Sequence, residues 1–67
     1  NQEKQMTFFD YVNNLRVEHA VSLLKNSDLR LNAIAEQSGF NSMSTFRRVF
    51  AAKQQCTPSE YRKRFLN

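Results

Sequence analysis

One glycine and one proline are all that 67 residues offer for sharp reversals of the backbone. Tight hairpins and β-meanders draw repeatedly on residues that tolerate positive φ, so both are nearly excluded, as are collagen-like repeats. A mostly helical chain is what remains. Apolar residues fill 40% of the positions, enough for a small core and too many for a disordered tail. The length allows one small domain, or part of one, and nothing larger. No apolar run approaches a membrane span, and no signal-peptide pattern appears. The single cysteine, Cys56, cannot form an internal bridge, which fits a reducing compartment, the cytoplasm. With His19 the one histidine, no zinc set is credible, and no metal or other cofactor is expected.

The charge is unevenly spread. Residues 1–40 carry Lys4, Arg16, Lys25 and Arg30 against Glu3, Asp10, Glu18, Asp28 and Glu36, a net −1. Residues 41–67 carry Arg47, Arg48, Lys53, Arg62, Lys63 and Arg64 against Glu60 alone, a net +5. An excess of positive charge confined to the last third suggests a polyanionic partner, nucleic acid first and an anionic membrane surface second. A membrane surface would need a basic amphipathic helix with a bulky apolar face, and the terminal helix is too short for one.

Helix signals divide the chain. Thr7 with Asp10 three residues later resembles a capping box. The spacing then predicts a helix over about residues 8–25, with Asn26-Ser27-Asp28 as its loop. Phe8, Val12, Leu15, His19 and Leu23 share one line along it, and Phe9, Val17, Ala20 and Leu24 a second, roughly 100° round. Asp10, Asn14, Glu18, Ser22 and Lys25 make the polar side. Two apolar lines are about twice what one neighbouring helix requires. Either the helix is buried deeply in its own bundle, or one line belongs against a further subdomain; the polar start Asn1–Gln5 is compatible with a cut inside a longer protein. His19, on an apolar line, reads as a core or boundary histidine.

Leu31, Ile34 and Ala35 form the apolar edge of a short second helix that stops at Gly39, a residue free to enter the left-handed conformation. Ser42 can cap a third helix whose buried side is Phe46, Val49 and Phe50. Two helices joined by a short glycine-containing turn have the shape of a helix-turn-helix, here over about residues 31–54. Thr57-Pro58-Ser59-Glu60 then opens a last helix, about residues 58–66, with cap, first-position proline and capping-box glutamate. Tyr61 and Phe65 point inward in this helix.

On the third helix the side opposite Phe46 carries Met43, Ser44, Arg47, Arg48 and Ala51. Small residues admit the backbone to a major groove, and arginine can bond bidentately to guanine. Asn41 and Ser42 at the helix start offer free N–H groups to a phosphate. Arg62, Lys63 and Arg64 fit either the DNA backbone at the edge of the motif or an ordinary helix end, with Arg62 the first choice for DNA. Cys56 has no His or Asp near it in sequence and reads as inert. No nucleophile–base pair, phosphate-cradling loop or catalytic carboxylate pair is present, so an enzyme is not expected.

Gly39-Phe40, then Ser44, Phe46, Arg48 and Phe50, then Thr57-Pro58 and Tyr61-Arg62, with Ile34-Ala35 ahead of the glycine, resemble the signature of the AraC/XylS family of bacterial transcription regulators. Asn14-Leu15-Arg16, Ala20 and Leu23-Leu24 resemble that family's linker helix. The likeness runs over about residues 6–66. It implies an all-α, homeodomain-like bundle: a linker helix followed by the second of two helix-turn-helix motifs. Residues 1–67 would then be a partial DNA-binding domain whose first motif, and any sensor domain, lie upstream. The same resemblance puts Met43, Ser44, Arg47 and Arg48 at bases or phosphates of double-stranded DNA and Ser42 at the helix cap near its backbone; Asn41 and Arg62 join this set from the reading of the residues above. RNA polymerase is a further implied partner, in an activator or a repressor. Three positions depart from the pattern: Gln55 stands where glycine is usual, Thr45 where an aromatic is frequent, and Arg47 where a small residue is frequent. The competing expectation is an interaction module that self-associates, as a homodimer, through Phe9, Val17 and Leu24.

Overall fold

A computed structural model of the protein describes residues 7–66, and side-chain surroundings for residues 7–64. Asn1–Gln5 and the Phe65 side chain, both singled out by sequence, lie outside the described residues. Among the described residues four helices follow one another: α1 (Phe8–Asn26), α2 (Leu31–Gln37), α3 (Met43–Gln54) and α4 (Pro58–Leu66). The fold is an all-α bundle. α1 packs against each of the other three, and α3 packs against α2 and α4.

Local chemistry accounts for the helix ends. Thr7 Oγ1 accepts the Asp10 N–H at 3.0 Å, with Asp10 in the first turn near the positive end of the dipole. At the other end of α1, the Ser27 hydroxyl and N–H both donate to the Leu23 carbonyl, at 2.7 and 3.0 Å. α2 closes in a Schellman motif: the Gly39 N–H reaches the Glu36 carbonyl at 3.1 Å and the Phe40 N–H the Ala35 carbonyl at 2.9 Å. Gly39 sits at φ +93, where a side chain would be strained. Ser42 Oγ accepts the Thr45 N–H at 3.1 Å and starts α3. α3 ends on Gln55 at φ 66, a left-handed position filled here without glycine.

The box that opens α4 is reciprocal. The Thr57 N–H donates to Glu60 Oε1 at 3.0 Å, and the Glu60 N–H to Thr57 Oγ1 at 3.1 Å. Those bonds, with the Thr57 backbone contribution the larger and Arg64 and Lys63 assisting, hold the Glu60 carboxyl below its ordinary range.

The core draws on the first three helices and the turn: Val17, Ala20 and Leu24 from α1, Ile34 and Ala35 from α2, Phe40 from the turn, and Phe46, Val49 and Phe50 from α3. Leu23, Leu29, Leu31 and Tyr61 pack on its edge. Cys56 and Pro58 are buried beneath the start of α4. Phe46 and Phe50 are fully enclosed; removing either ring would cost about 3–5 kcal/mol, a large share of what so small a domain can have.

One of the two apolar lines on α1 is the inward one. Val17, Ala20 and Leu24 are buried together with Asn13. The other line faces outward at its N-terminal half, where Phe8 is 80% and Leu15 49% exposed. His19 is exposed, not packed, because it follows Leu15 by one turn on that outward line. Phe9 and Tyr11 are exposed as well, at 65% and 54%, on different sides of the helix. An association surface made of Phe9, Val17 and Leu24 is therefore ruled out, since two of the three belong to the core.

Candidate nucleic-acid interface

α3 has an inner and an outer side. Inside, the rings of Phe40, Phe46, Phe50 and Tyr61 succeed one another at centroid separations of 5.2, 5.8 and 5.6 Å, tilted or edge-on as aromatic quadrupoles favour. This row joins the turn, α3 and α4, and so fixes the rotation of α3 about its own axis. Outside, Ser44, Arg47 and Arg48 are exposed, as are Asn41 and Ser42 at the start of the helix. With Ser42 Oγ satisfying Thr45, the N–H groups of the first turn ahead of it have no intrahelical carbonyl and face an anion's side of the dipole.

The two arginines are not equivalent. Adjacent residues lie about 100° apart round a helix. Arg48 borders a cleft between α1 and α3 with Phe9, Asp10, Asn13 and Lys53, and Arg47 is turned away from it by that angle. A neighbouring cleft brings Asn14 and Glu18 beside Ala52 and Lys53. The polar flank of α1 thus meets the C-terminal half of α3, a juxtaposition that helical spacing within either segment does not reveal.

Two expected members of the interface are placed elsewhere. Met43 is half-buried and packed on the core. It precedes Phe46 by three residues and Phe50 by seven, so it belongs to the same inward line. It lines the cleft over Ala35, Glu36 and Phe40. Arg62 is half-buried too, and its guanidinium is occupied: Nη1 donates to the Leu29 carbonyl at 2.5 Å and Nη2 to the Ser27 carbonyl at 2.9 Å. The planar fork of arginine spans two acceptors in this way. Arg62 therefore ties α4 to the connection between α1 and α2. Its neighbours Lys63 and Arg64 are exposed, beside Gln55, Cys56 and Glu60.

The linker-helix motif contributes a residue that sequence alone did not place. Arg16, half-buried, lays its stem along the turn: a Cβ on Gly39 would stand 3.2 Å from Arg16 Nε and 3.6 Å from its Cγ. Its Cζ lies 6.0 Å from the centre of the Phe40 ring, at the outer limit of a cation–π contact.

A short second helix, a Schellman turn on glycine and a third helix capped by Ser42, with arginines exposed on its outer side, make this a helix-turn-helix. The helix-turn-helix domain family matches residues 1–64. The chain belongs to the AraC/XylS family. Among curated relatives, it is 40% identical over 58 residues to the HTH-type transcriptional regulator YijO of Escherichia coli, covering 87% of this chain and 20% of that protein. It is 37% identical over 65 residues to the HTH-type transcriptional activator RhaR of Mannheimia succiniciproducens, covering 97% and 24%. To the TCP pilus virulence regulatory protein of Vibrio cholerae it is 35% identical over 60 residues, covering 90% and 22%. The chain thus spans between a fifth and a quarter of these AraC/XylS relatives. No solved structure matched it. Among the described residues, no helix is long and apolar enough to cross a membrane.

Proposed function

We propose that this AraC/XylS chain is the second DNA-reading motif of a cytoplasmic bacterial transcription regulator, with α3 in the major groove. Ser44 and Arg47 face base edges. Arg48 takes a base or the phosphate at the groove wall, and Asn41 and Ser42 meet the sugar–phosphate backbone at the helix start. Met43 and Arg62 have no part in it. The observation that carries this proposal is the outer side of α3, where Ser44, Arg47 and Arg48 are exposed while Phe46 and Phe50 hold the helix by its other side. Arginine on such a face suits guanine O6 and N7, and the short Ser44 lets the backbone approach.

The exposed apolar side chains Phe8, Phe9, Tyr11 and Leu15 support a second element of the proposal. These four are too exposed for a finished surface, and an upstream helix-turn-helix module resting on them would cover them. The relatives' greater length leaves room for such a module and for a sensor domain. RNA polymerase is a further partner in the same proposal, reached from the DNA-bound state.

One motif reads few base pairs, so binding by this chain is weak and steeply salt-dependent. Fluorescence anisotropy against duplexes selected from a randomised pool tests it. The variant carrying Arg47→Ala with Arg48→Ala loses most affinity; unchanged binding in that variant, or indifference to salt, refutes the assignment. A second reading, self-association through Phe8, Tyr11 and Leu15, is favoured by the same exposed side chains. Sedimentation equilibrium separates the two, since a dimer abolished by Leu15→Glu, in a chain that binds no DNA, supports self-association alone.

A further inference from the structure

We infer that Arg16, on α1, is a DNA-backbone contact: its guanidinium binds a phosphate flanking the groove that α3 enters. This rests on the DNA-reading role proposed above and adds to it a residue outside the helix-turn-helix. Three features converge. First, Arg16 makes no hydrogen bond or ion pair with any described residue, in contrast to Arg62, whose guanidinium is taken up by two carbonyls. Among the described residues its guanidinium meets only the Phe40 ring. A methionine stem would pack on Gly39 and Phe40 as well. What arginine adds is a fork of five donors with no acceptor among the described residues, suited to the oxygens of a phosphate.

Second, the side chain is held in place. The missing Cβ of Gly39 leaves the room that Nε and the stem fill, and Phe40 is itself anchored on Phe46. An arginine already restricted by packing loses little rotamer freedom on binding. Third, the location is the right one. Gly39 and Phe40 lead directly into Asn41 and Ser42, the exposed start of α3. Three residues span at most about 11 Å, so Nε lies within a few phosphates' reach of the end of α3 proposed to enter the groove.

Phosphate contacts and structural contacts separate cleanly in a salt titration. Using the whole chain, with a 24-bp duplex recovered by wild-type protein and a scrambled duplex, affinity is measured from 50 to 200 mM KCl. Arg16→Gln lowers the slope of log K against log salt by about 0.9, the release of one phosphate's counterions, and weakens binding to both duplexes alike, by roughly fivefold to tenfold at the higher salt. Arg16→Met, which keeps a stem against Phe40, behaves as Arg16→Gln does, and Arg16→Lys keeps the slope. Melting temperatures are read in parallel so that binding is compared between folded proteins. An unchanged slope in both Arg16→Gln and Arg16→Met overturns the assignment, whether affinity falls or not. The proposed DNA reading fails separately: there, Arg47→Ala with Arg48→Ala leaves binding intact, whereas a loss in that variant beside an unaltered Arg16 slope removes the Arg16 contact alone.

Discussion

Replacing Arg62 by alanine removes two charge-assisted hydrogen bonds at once, to the Ser27 and Leu29 carbonyls. Each such bond is nominally worth about 1.5–3 kcal/mol. Arg62 is only half-buried, and water can reach the carbonyls it leaves behind, so the sum is discounted to about 2 kcal/mol. Ser27 is also the C-cap of α1, so the cation sits where the helix dipole welcomes it. For a domain of this size each kcal/mol moves the melting temperature by about 4–8 °C, which puts Arg62→Ala about 10 °C below wild type in a circular-dichroism melt. Arg62→Lys recovers less than half of that, because an ammonium cannot span both acceptors as the planar fork does. In the salt titration of DNA binding, the folded Arg62→Ala protein keeps the wild-type slope. A melt within about 2 °C of wild type, together with a slope smaller by about 0.9, would return Arg62 to the DNA backbone and refute its structural role.

Gly39→Ala places a Cβ at φ +93, 3.2 Å from Arg16 Nε. The left-handed backbone alone costs about 1–2 kcal/mol, read in a urea titration, with a small addition because the arginine stem can give way. Gln55→Gly relieves the left-handed end of α3. The gain of about 1–2 kcal/mol exceeds glycine's entropic cost of roughly 0.5–1, so thermal stability rises by a few degrees; a fall would show that the Gln55 side chain, 3.4 Å from the Ala52 carbonyl, matters more than its backbone. Glu60 is held below its ordinary range in the folded chain, so its stabilisation is complete above about pH 4.3 and is lost as acid carries it through the lowered folded value. The melting-temperature difference between wild type and Glu60→Gln therefore shrinks between pH 6 and pH 3, and a constant difference would refute the coupling.

Helix ends were legible because their causes are local. Thr7, Ser42 and the Thr57–Glu60 box each meet partners three residues away, and the Gly39 motif closes within six residues. The buried side of α3 was legible for a similar reason, since Phe46, Val49 and Phe50 leave only one apolar side. Met43, one turn before Phe46 on the same inward line, is half-buried for that reason. On α1 local spacing left a choice. Two apolar lines of comparable strength were available, and the partner helices alone decide between them. Val17, Ala20 and Leu24 fit against α2, α3 and α4, leaving Phe8, Tyr11 and Leu15 outside.

Charge shows most sharply where sequence stops. Arg62, Lys63 and Arg64 are consecutive cations near one helix end, and nothing local distinguishes the first. What distinguishes it is a pair of carbonyls 33 and 35 residues earlier in the chain, brought near when α4 closes on α1. Arg16 lies in a segment of net negative charge, and the turn it packs against, at Gly39, is 23 positions away in sequence. The count of basic residues in the last third thus overstates the charge free for a polyanion by at least Arg62, and the acidic balance of the first forty residues hides a cation standing at the motif's turn. A net charge describes a chain's affinity for polyanions at long range; which cations touch phosphate depends on which guanidinium groups the fold has already occupied.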